Sequence, residues 1–150
     1  MYTIDKPTAD EFPQLLHVWE ASVRATHHFL REEDILFFKH IIQSHSVFAQ
    51  VNLTCARDGE GIVGFLGVAN KNLEMLFLHP RAIGKGVGKM LMRIALQELG
   101  VTHVDVNEQN VRAREFYEHF GFQTISRSAL DGTGKPFPIL HMELKAKPVE

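Results

Sequence analysis

From Phe12 onward, apolar residues recur at intervals of three and four. Phe12, Leu15, Leu16, Trp19 and Val23, with Thr26 continuing the line, fall on one face of a 3.6-residue helix. Upstream, Thr3 to Asp5 alternate and predict a short edge strand, which Lys6-Pro7 interrupts. Thr8 and Glu11 have the spacing of a capping box, so the helix is expected to start near Ala9. Its apolar face fades at His27-His28. After Phe29-Leu30-Arg31, the positions Ile35, Leu36, Phe38, Ile41, Ile42 and Phe48 fit the helical period again. Glu32, Glu33 and Asp34 put negative charge on the first turn, where the helix dipole favours it.

At Val51 the period changes to two. Val51–Arg57 and Ile62–Asn70 read as strands around the turn Asp58-Gly-Glu-Gly. Asn70-Lys-Asn is a second turn, and Leu73–Leu78 continues an antiparallel meander that ends at His79-Pro80. Val87, Leu91, Ile94, Ala95 and Leu99 define a third helix, stopped at Gly100. Val101–Val106 alternates once more. Asn110 then caps a fourth helix, with Ala113, Phe116, Tyr117 and Phe120 on its apolar side. Phe122–Ser126 and Ile139–Leu144 are the last strands, joined by Asp131-Gly-Thr-Gly-Lys-Pro-Phe-Pro, and Lys145–Glu150 reads as a frayed polar tail. The order of elements predicts one mixed α/β domain over residues 1–150, without internal repeats.

Composition removes several classes of function. An apolar fraction of 45% in 150 residues suffices for a single core, and a net charge of −2 offers no cationic field to collect nucleic acid or anionic lipid. The longest apolar runs, Ile62–Ala69 and around Leu76–Leu78, have strand length, so no membrane span is expected. The first residues lack the basic and apolar segments of an export signal, which makes the cytoplasm the expected location. Cys55, alone, forms no internal disulfide and no cysteine-based zinc site, and its strand pattern predicts a small core residue. The nine histidines include no pair at metalloprotease spacing, so no metal is expected.

Chemistry concentrates at Gly84-Lys-Gly-Val-Gly. A glycine-rich turn leading from a strand into a helix suits phosphate, because the first N–H groups of the helix are unpaired and its dipole is positive there. Lys85 and Lys89 add charge. The same spacing also describes a plain strand-to-helix turn without a ligand. A nucleotide-binding P-loop is excluded twice: Ile83 stands where its first glycine belongs, and Met90 follows Gly88-Lys89 in place of Ser or Thr. A dinucleotide fingerprint fails because Lys89 replaces the third glycine and the motif follows antiparallel strands.

With Leu76-Phe-Leu-His-Pro-Arg-Ala-Ile-Gly-Lys-Gly-Val-Gly, the chain resembles the GNAT superfamily of acyl-coenzyme A N-acyltransferases at its coenzyme-binding strand, loop and helix. Asn110-Val-Arg-Ala-Arg-Glu-Phe-Tyr-Glu-His-Phe-Gly-Phe is similar to that family's second signature. Ala25-Thr-His-His-Phe-Leu, Val106-Asn-Glu-Gln-Asn and Gly134-Lys-Pro-Phe-Pro-Ile-Leu resemble its bacterial YjaB-type branch, so the resemblance covers nearly the whole chain. It implies a mostly antiparallel sheet of six to seven strands with one splayed parallel pair, flanked by four helices. It also implies acetyl-CoA as cosubstrate, with its pyrophosphate on the backbone N–H groups of Gly84, Lys85, Gly86, Val87, Gly88 and Lys89. Its pantetheine arm would lie along Met75, Leu76, Phe77 and Leu78, with a contact from Asn110. Tyr117 matches the family's proposed general acid. Ile83 departs from the pattern, since the family usually has Arg or Gln there; Arg81 is the nearest cation that could take over.

Transfer to an amine requires a proton acceptor, an oxyanion donor and an acid for the departing sulfur. Tyr117 is the candidate acid and Glu74 the candidate acceptor. Tyr117 also fits a packing role beside Phe116 and Phe120, and Glu74 fits an outward-facing strand position. The family's acceptor pocket implies substrate contacts at His27, His28 and Phe29, which helix termination and packing explain equally well; Asn107, at the end of the strand beside the splay, is another candidate contact. The expected partner is a small-molecule or peptidyl amine, and the expected assembly is a monomer or homodimer. A coenzyme-binding module without turnover is the alternative.

Overall fold

The Thr8 backbone N–H donates to Glu11 Oε1 at 3.0 Å, closing the predicted capping box, and a 3-10 turn at Ala9–Glu11 precedes helix α1, Phe12–Thr26. In this computed structural model, which describes residues 1–145, the next elements are α2 (Glu32–Ser44) and strands β2 (Asn52–Asp58), β3 (Gly61–Ala69) and β4 (Asn72–Leu78). They are followed by α3 (Val87–Gln97), β5 (His103–Asn107), α4 (Val111–His119), β6 (Phe122–Ser128) and β7 (Ile139–Leu144). With β1 (Thr3–Asp5) they form a seven-stranded sheet in the order β1-β2-β3-β4-β5-β7-β6, antiparallel throughout except for β4 and β5. The tail expected after Lys145 lies outside the described residues.

Each face of the sheet carries a core. Leu15, Val18, Trp19 and Val23 of α1 pack with Ile35, Phe65 and Met75 on one side. On the other, Val87, Leu91, Met92 and Ala95 of α3 pack with Leu66, Val104 and Phe122. The four α3 residues are fully buried, and each of the larger ones contributes on the order of 1.5–3 kcal/mol by leaving water. Phe48 joins the first core from a separate 3-10 turn, Val47–Gln50. It does not extend α2, because Ser46 adopts the left-handed conformation at φ 50° and ends the helix run. Cys55 is buried as expected; burial, with the Asp5 carboxylate it donates to at 3.1 Å, pushes its thiol up to about 12. Arg57 secures the N-terminal edge, forking onto Glu11 at 2.6 and 2.8 Å while its Nε reaches Asp5 at 2.9 Å.

One irregularity organises the rest of the molecule. Gly67 pairs with Met75 and Val68 with Leu73, so Glu74 is an extra residue in β4 without a partner in β3. The insertion reverses the side-chain alternation: Leu73, Leu76 and Leu78 pack against the α3–α4 core, whereas Met75 and Phe77 pack against the α1–α2 core. Parallel pairing of β4 with β5 occurs at Asn72↔His103 and Leu73↔Val104 and stops at the bulge. Beyond it the two strands splay, as expected. Among the described residues no helix is long and apolar enough to cross a membrane.

Candidate active site

A cleft of about 540 Å³ opens where β4 and β5 separate. It runs through the sheet. His27 and His28 at the end of α1 line one side, and Ile83, Gly88, Phe116 and Tyr117 of the α3–α4 layer line the other. Glu74 to Leu78 and Asp105 to Asn107 form the two strand walls.

The glycine turn is built as its sequence implies. Gly84 and Gly86 have φ of 78° and 85°, which a side chain would strain, and a Cβ on either would meet no protein atom within 4 Å. Ile83 N–H donates to Pro80 O at 3.2 Å and Met90 N–H to Gly86 O at 3.0 Å. Among the described residues, the six intervening N–H groups, Gly84 to Lys89, donate to no carbonyl or side chain. The expected phosphate donors are therefore unspent, next to open space. The Val87 side chain is core, so only its backbone is open to the turn. Lys85 and Lys89 are exposed and, among the described residues, free of carboxylate partners.

The β4 wall supplies further donors. His79 N–H donates to Val63 O at 2.7 Å, which fixes the alternation of the antiparallel ladder. Phe77 and Met75 direct their backbone polar groups to β3, and those of Leu76 and Leu78 face the gap beside β5. An unpaired strand N–H in this gap is positioned to hydrogen-bond a carbonyl oxygen lying along it.

Tyr117, 7% exposed, sits between Phe116 and Phe122 with ring centroids 5.5 and 6.1 Å away. Burial raises its pKa, so the phenol keeps its proton at neutral pH. Asn110 caps α4, its Oδ1 accepting from Ala113 N–H at 3.3 Å, which leaves the amide NH₂ for a ligand in the cleft. Asn107 likewise accepts from Gln109 N–H at 2.8 Å and keeps its own donors.

On the α1 side, Thr26 Oγ donates to Ser22 O at 2.8 Å and lies 2.7 Å from His27 Nδ1. With the hydroxyl proton committed, Nδ1 must carry the imidazole proton and Nε2 its lone pair. Burial first, then His28, pushes this histidine down to about 4, so it is neutral near pH 7. Glu74 is exposed at the cleft and, among the described residues, has no cationic partner. Phe29 does not line the cleft: it packs on His27 and, at 6.0 Å between centroids, on Phe137. Arg81 turns away from the loop, its Nε 3.1 Å from Asp58 and 3.7 Å from Glu60, so it does not replace the cation missing at Ile83.

Sequence reasoning passed over three features. Arg112 lines the cleft beside Gly88 and Tyr117. The loop between β6 and β7 clasps α2, with Lys135 3.6 Å from the buried Asp34 and Phe137 packed on Phe29 and Phe38. Asp105 lines the cleft and is hydrogen-bonded to His141. These are contacts between residues distant in sequence, without a local motif to announce them; at Asp105 the signal was a carboxylate on the exposed phase of an alternating strand.

Residues 28–145 match the family described as Acetyltransferase (GNAT) domain. The peptidyl-lysine N-acetyltransferase YjaB of Salmonella typhimurium is 32% identical over 95% of this chain and 97% of its own. That of Escherichia coli is 32% identical over 93% and 95%. The solution structure of the apo form of YjaB from Escherichia coli superposes with a TM-score of 0.85, covering 96% of this chain and 97% of that one. A PaiA N-acetyltransferase from Thermoplasma acidophilum, solved in complex with coenzyme A, has the same fold at 20% identity, with a TM-score of 0.75 over 97% of this chain and 99% of its own. The sheet, the splayed pair and the extent of these matches agree, and the chain belongs to the GNAT family of acetyltransferases.

Proposed function

We propose that the chain transfers the acetyl group of acetyl-CoA to the side-chain amine of a peptidyl lysine, by direct attack within a ternary complex. The observation that carries this reading is the run of six unspent N–H groups from Gly84 to Lys89, opening on a cleft whose β4 wall presents further donors. The donors and the open space beside Gly84 and Gly86 fit a pyrophosphate. Asn110 and the β4 wall from Met75 to Leu78 hold the pantetheine arm, and a Leu76 or Leu78 amide polarises the thioester carbonyl. Tyr117 gives its proton to the departing thiolate, and Glu74 takes one from the amine. His27, His28 and Asn107 contact the acceptor. Peptidyl lysine is favoured as acceptor by the YjaB relatives, whose similarity spans nearly the whole chain. The buried lone thiol fits a cytoplasmic protein. Free thiol released from acetyl-CoA by a lysine-containing peptide tests the reading. Thermal stabilisation by the coenzyme without thiol release from that peptide or from small amines would replace it with a binding module.

Ile83 lines the cleft at the entrance to the loop, where it offers packing alone. Ile83→Arg is expected to tighten coenzyme binding about tenfold, because a charge-assisted bond to phosphate is worth ~1.5–3 kcal/mol and ~1.4 kcal/mol is one decade. The gain shrinks as salt rises. Arg81→Ala leaves affinity unchanged, since its guanidinium is held by Asp58. Calorimetric titration of both variants checks this, and a large loss in Arg81→Ala would contradict the observed pairing.

A further inference from the structure

On the α1 side of the sheet, three side chains from three strands form a continuous hydrogen-bonded chain. Asp105 of β5 has its Oδ1 2.7 Å from His141 Nδ1, and His141 Nε2 lies 2.6 Å from Ser128 Oγ. These are the residue types and contacts of a serine-hydrolase triad, but the order relative to the cleft is inverted. The carboxylate end, Asp105, lines the cleft; Ser128, at the far end, does not. The arrangement therefore presents a carboxylate to the cleft.

Asp105 sits on the acceptor side. Its neighbours Val104 and Val106 pack into the α3–α4 core, so by alternation Asp105 faces the α1 side with Asn107. Its environment differs from that of two carboxylates beside it on the sheet. Nearby carboxylates are neutralised by a long cationic side chain: Glu108 by Arg127 at 2.6 Å and Glu143 by Lys145 at 2.9 Å. Among the described residues, the side chain that Asp105 pairs with is His141, a hydrogen-bond partner that occupies Oδ1. Oδ2 remains for a cation in the cleft.

We propose that Asp105 is the residue that receives the ammonium group of the acceptor, with His141 and Ser128 as positioning residues that fix the orientation of its carboxylate. This deepens the lysine reading above and rests on it. The ammonium donates one N–H to Asp105 Oδ2. His141 donates from Nδ1 to Oδ1 and accepts at Nε2 from the Ser128 hydroxyl, so the carboxylate cannot rotate away. The amine still carries its full complement of protons at this stage, and the one it must lose leaves toward Glu74 or water before attack. The site would select unmodified, cationic lysine over its neutral acetylated product, which has no charge to hold.

The test is a steady-state and binding comparison with a lysine-containing peptide on the protein loaded with coenzyme A. Asp105→Asn is expected to raise the KM and the Kd for the peptide about ten- to hundredfold, with a much smaller change in kcat and unchanged stabilisation by coenzyme A. His141→Ala should follow in the same direction with a smaller effect. His141→Gln, which can donate to Asp105 and accept from Ser128, should recover part of the loss, a rescue that mere packing would not produce. An acetyl-lysine peptide should bind wild type no better than it binds Asp105→Asn. If Asp105→Asn leaves KM and Kd for the peptide unchanged while wild type acetylates it, Asp105 is a sheet-surface pair and the inference is overturned alone. If wild type neither binds nor acetylates the peptide, both it and the lysine reading are overturned.

Discussion

Tyr117→Phe is expected to lower kcat by about 10²–10⁴-fold, the usual worth of a general acid, while coenzyme binding and stability stay close to wild type. The substitution removes one oxygen. The ring keeps its contacts with Phe116 and Phe122, and none of the side-chain hydrogen bonds among the described residues uses its hydroxyl. On the proposed mechanism, what is lost is the proton that the buried phenol would give to the departing sulfur. A thiol-release assay with a competent lysine peptide, alongside a melting curve with and without coenzyme, separates the two roles of the residue. An unchanged kcat would assign Tyr117 to packing and leave the thiolate to be protonated by water.

Gly86→Val should abolish the stabilisation that coenzyme A confers. A ligand at one hundred times its Kd adds ~2.7 kcal/mol, which in a domain of this size is roughly 5–10 °C in Tm. Two costs enter with valine. A branched side chain at φ 85° is strained by about 1–2 kcal/mol, which lowers the Tm of the free protein. Its methyl groups also fill space that no protein atom occupies and that the pyrophosphate reading requires. The first effect is present without ligand and the second only with it, so paired melting curves distinguish them. Gly88→Ala is the control: its Cβ finds Leu78 and Phe116 at ordinary contact distances of 3.5 and 3.7 Å, and the coenzyme shift should survive. A full shift in Gly86→Val would mean that the phosphates lie elsewhere.

Elements with strong local signals were legible in the sequence. The capping box at Thr8, the hairpin across Asp58-Gly-Glu-Gly, the glycine turn before α3 and the Asn110 cap each require particular residues at fixed offsets, and all four formed where the spacing placed them. The end of α2 was missed because Ser46 takes a conformation that glycine normally advertises. The far half of β6 was cut short at Ser126, because an extra residue at Ile125 breaks the alternation while the pairing continues to Ser128. At the site, the backbone donors followed from the motif. Proximity in sequence offers Arg81 as the nearest cation to stand in at Ile83, but a salt bridge to Asp58 across the β2–β3 turn competes for the same guanidinium. Asp105, His141 and Ser128 come together only through the register of β5, β7 and β6, and register depends on the folded sheet.

The bulge at Glu74 separates shape from chemistry at one position. The opening of the sheet depends on the number of residues in β4, since the ladder with β3 is one residue out of step on either side of this point. The carboxylate depends on the identity of that residue. A substitution at Glu74 that suits a strand preserves the count and with it the register shift, so the residue type can vary over the same frame. A single-residue deletion does the reverse: it brings β3 and β4 into continuous step and removes the reason for β4 to leave β5. In this fold, changes of chain length at one strand position are the route by which the site can be gained or lost, and changes of residue type are the route by which it can be tuned.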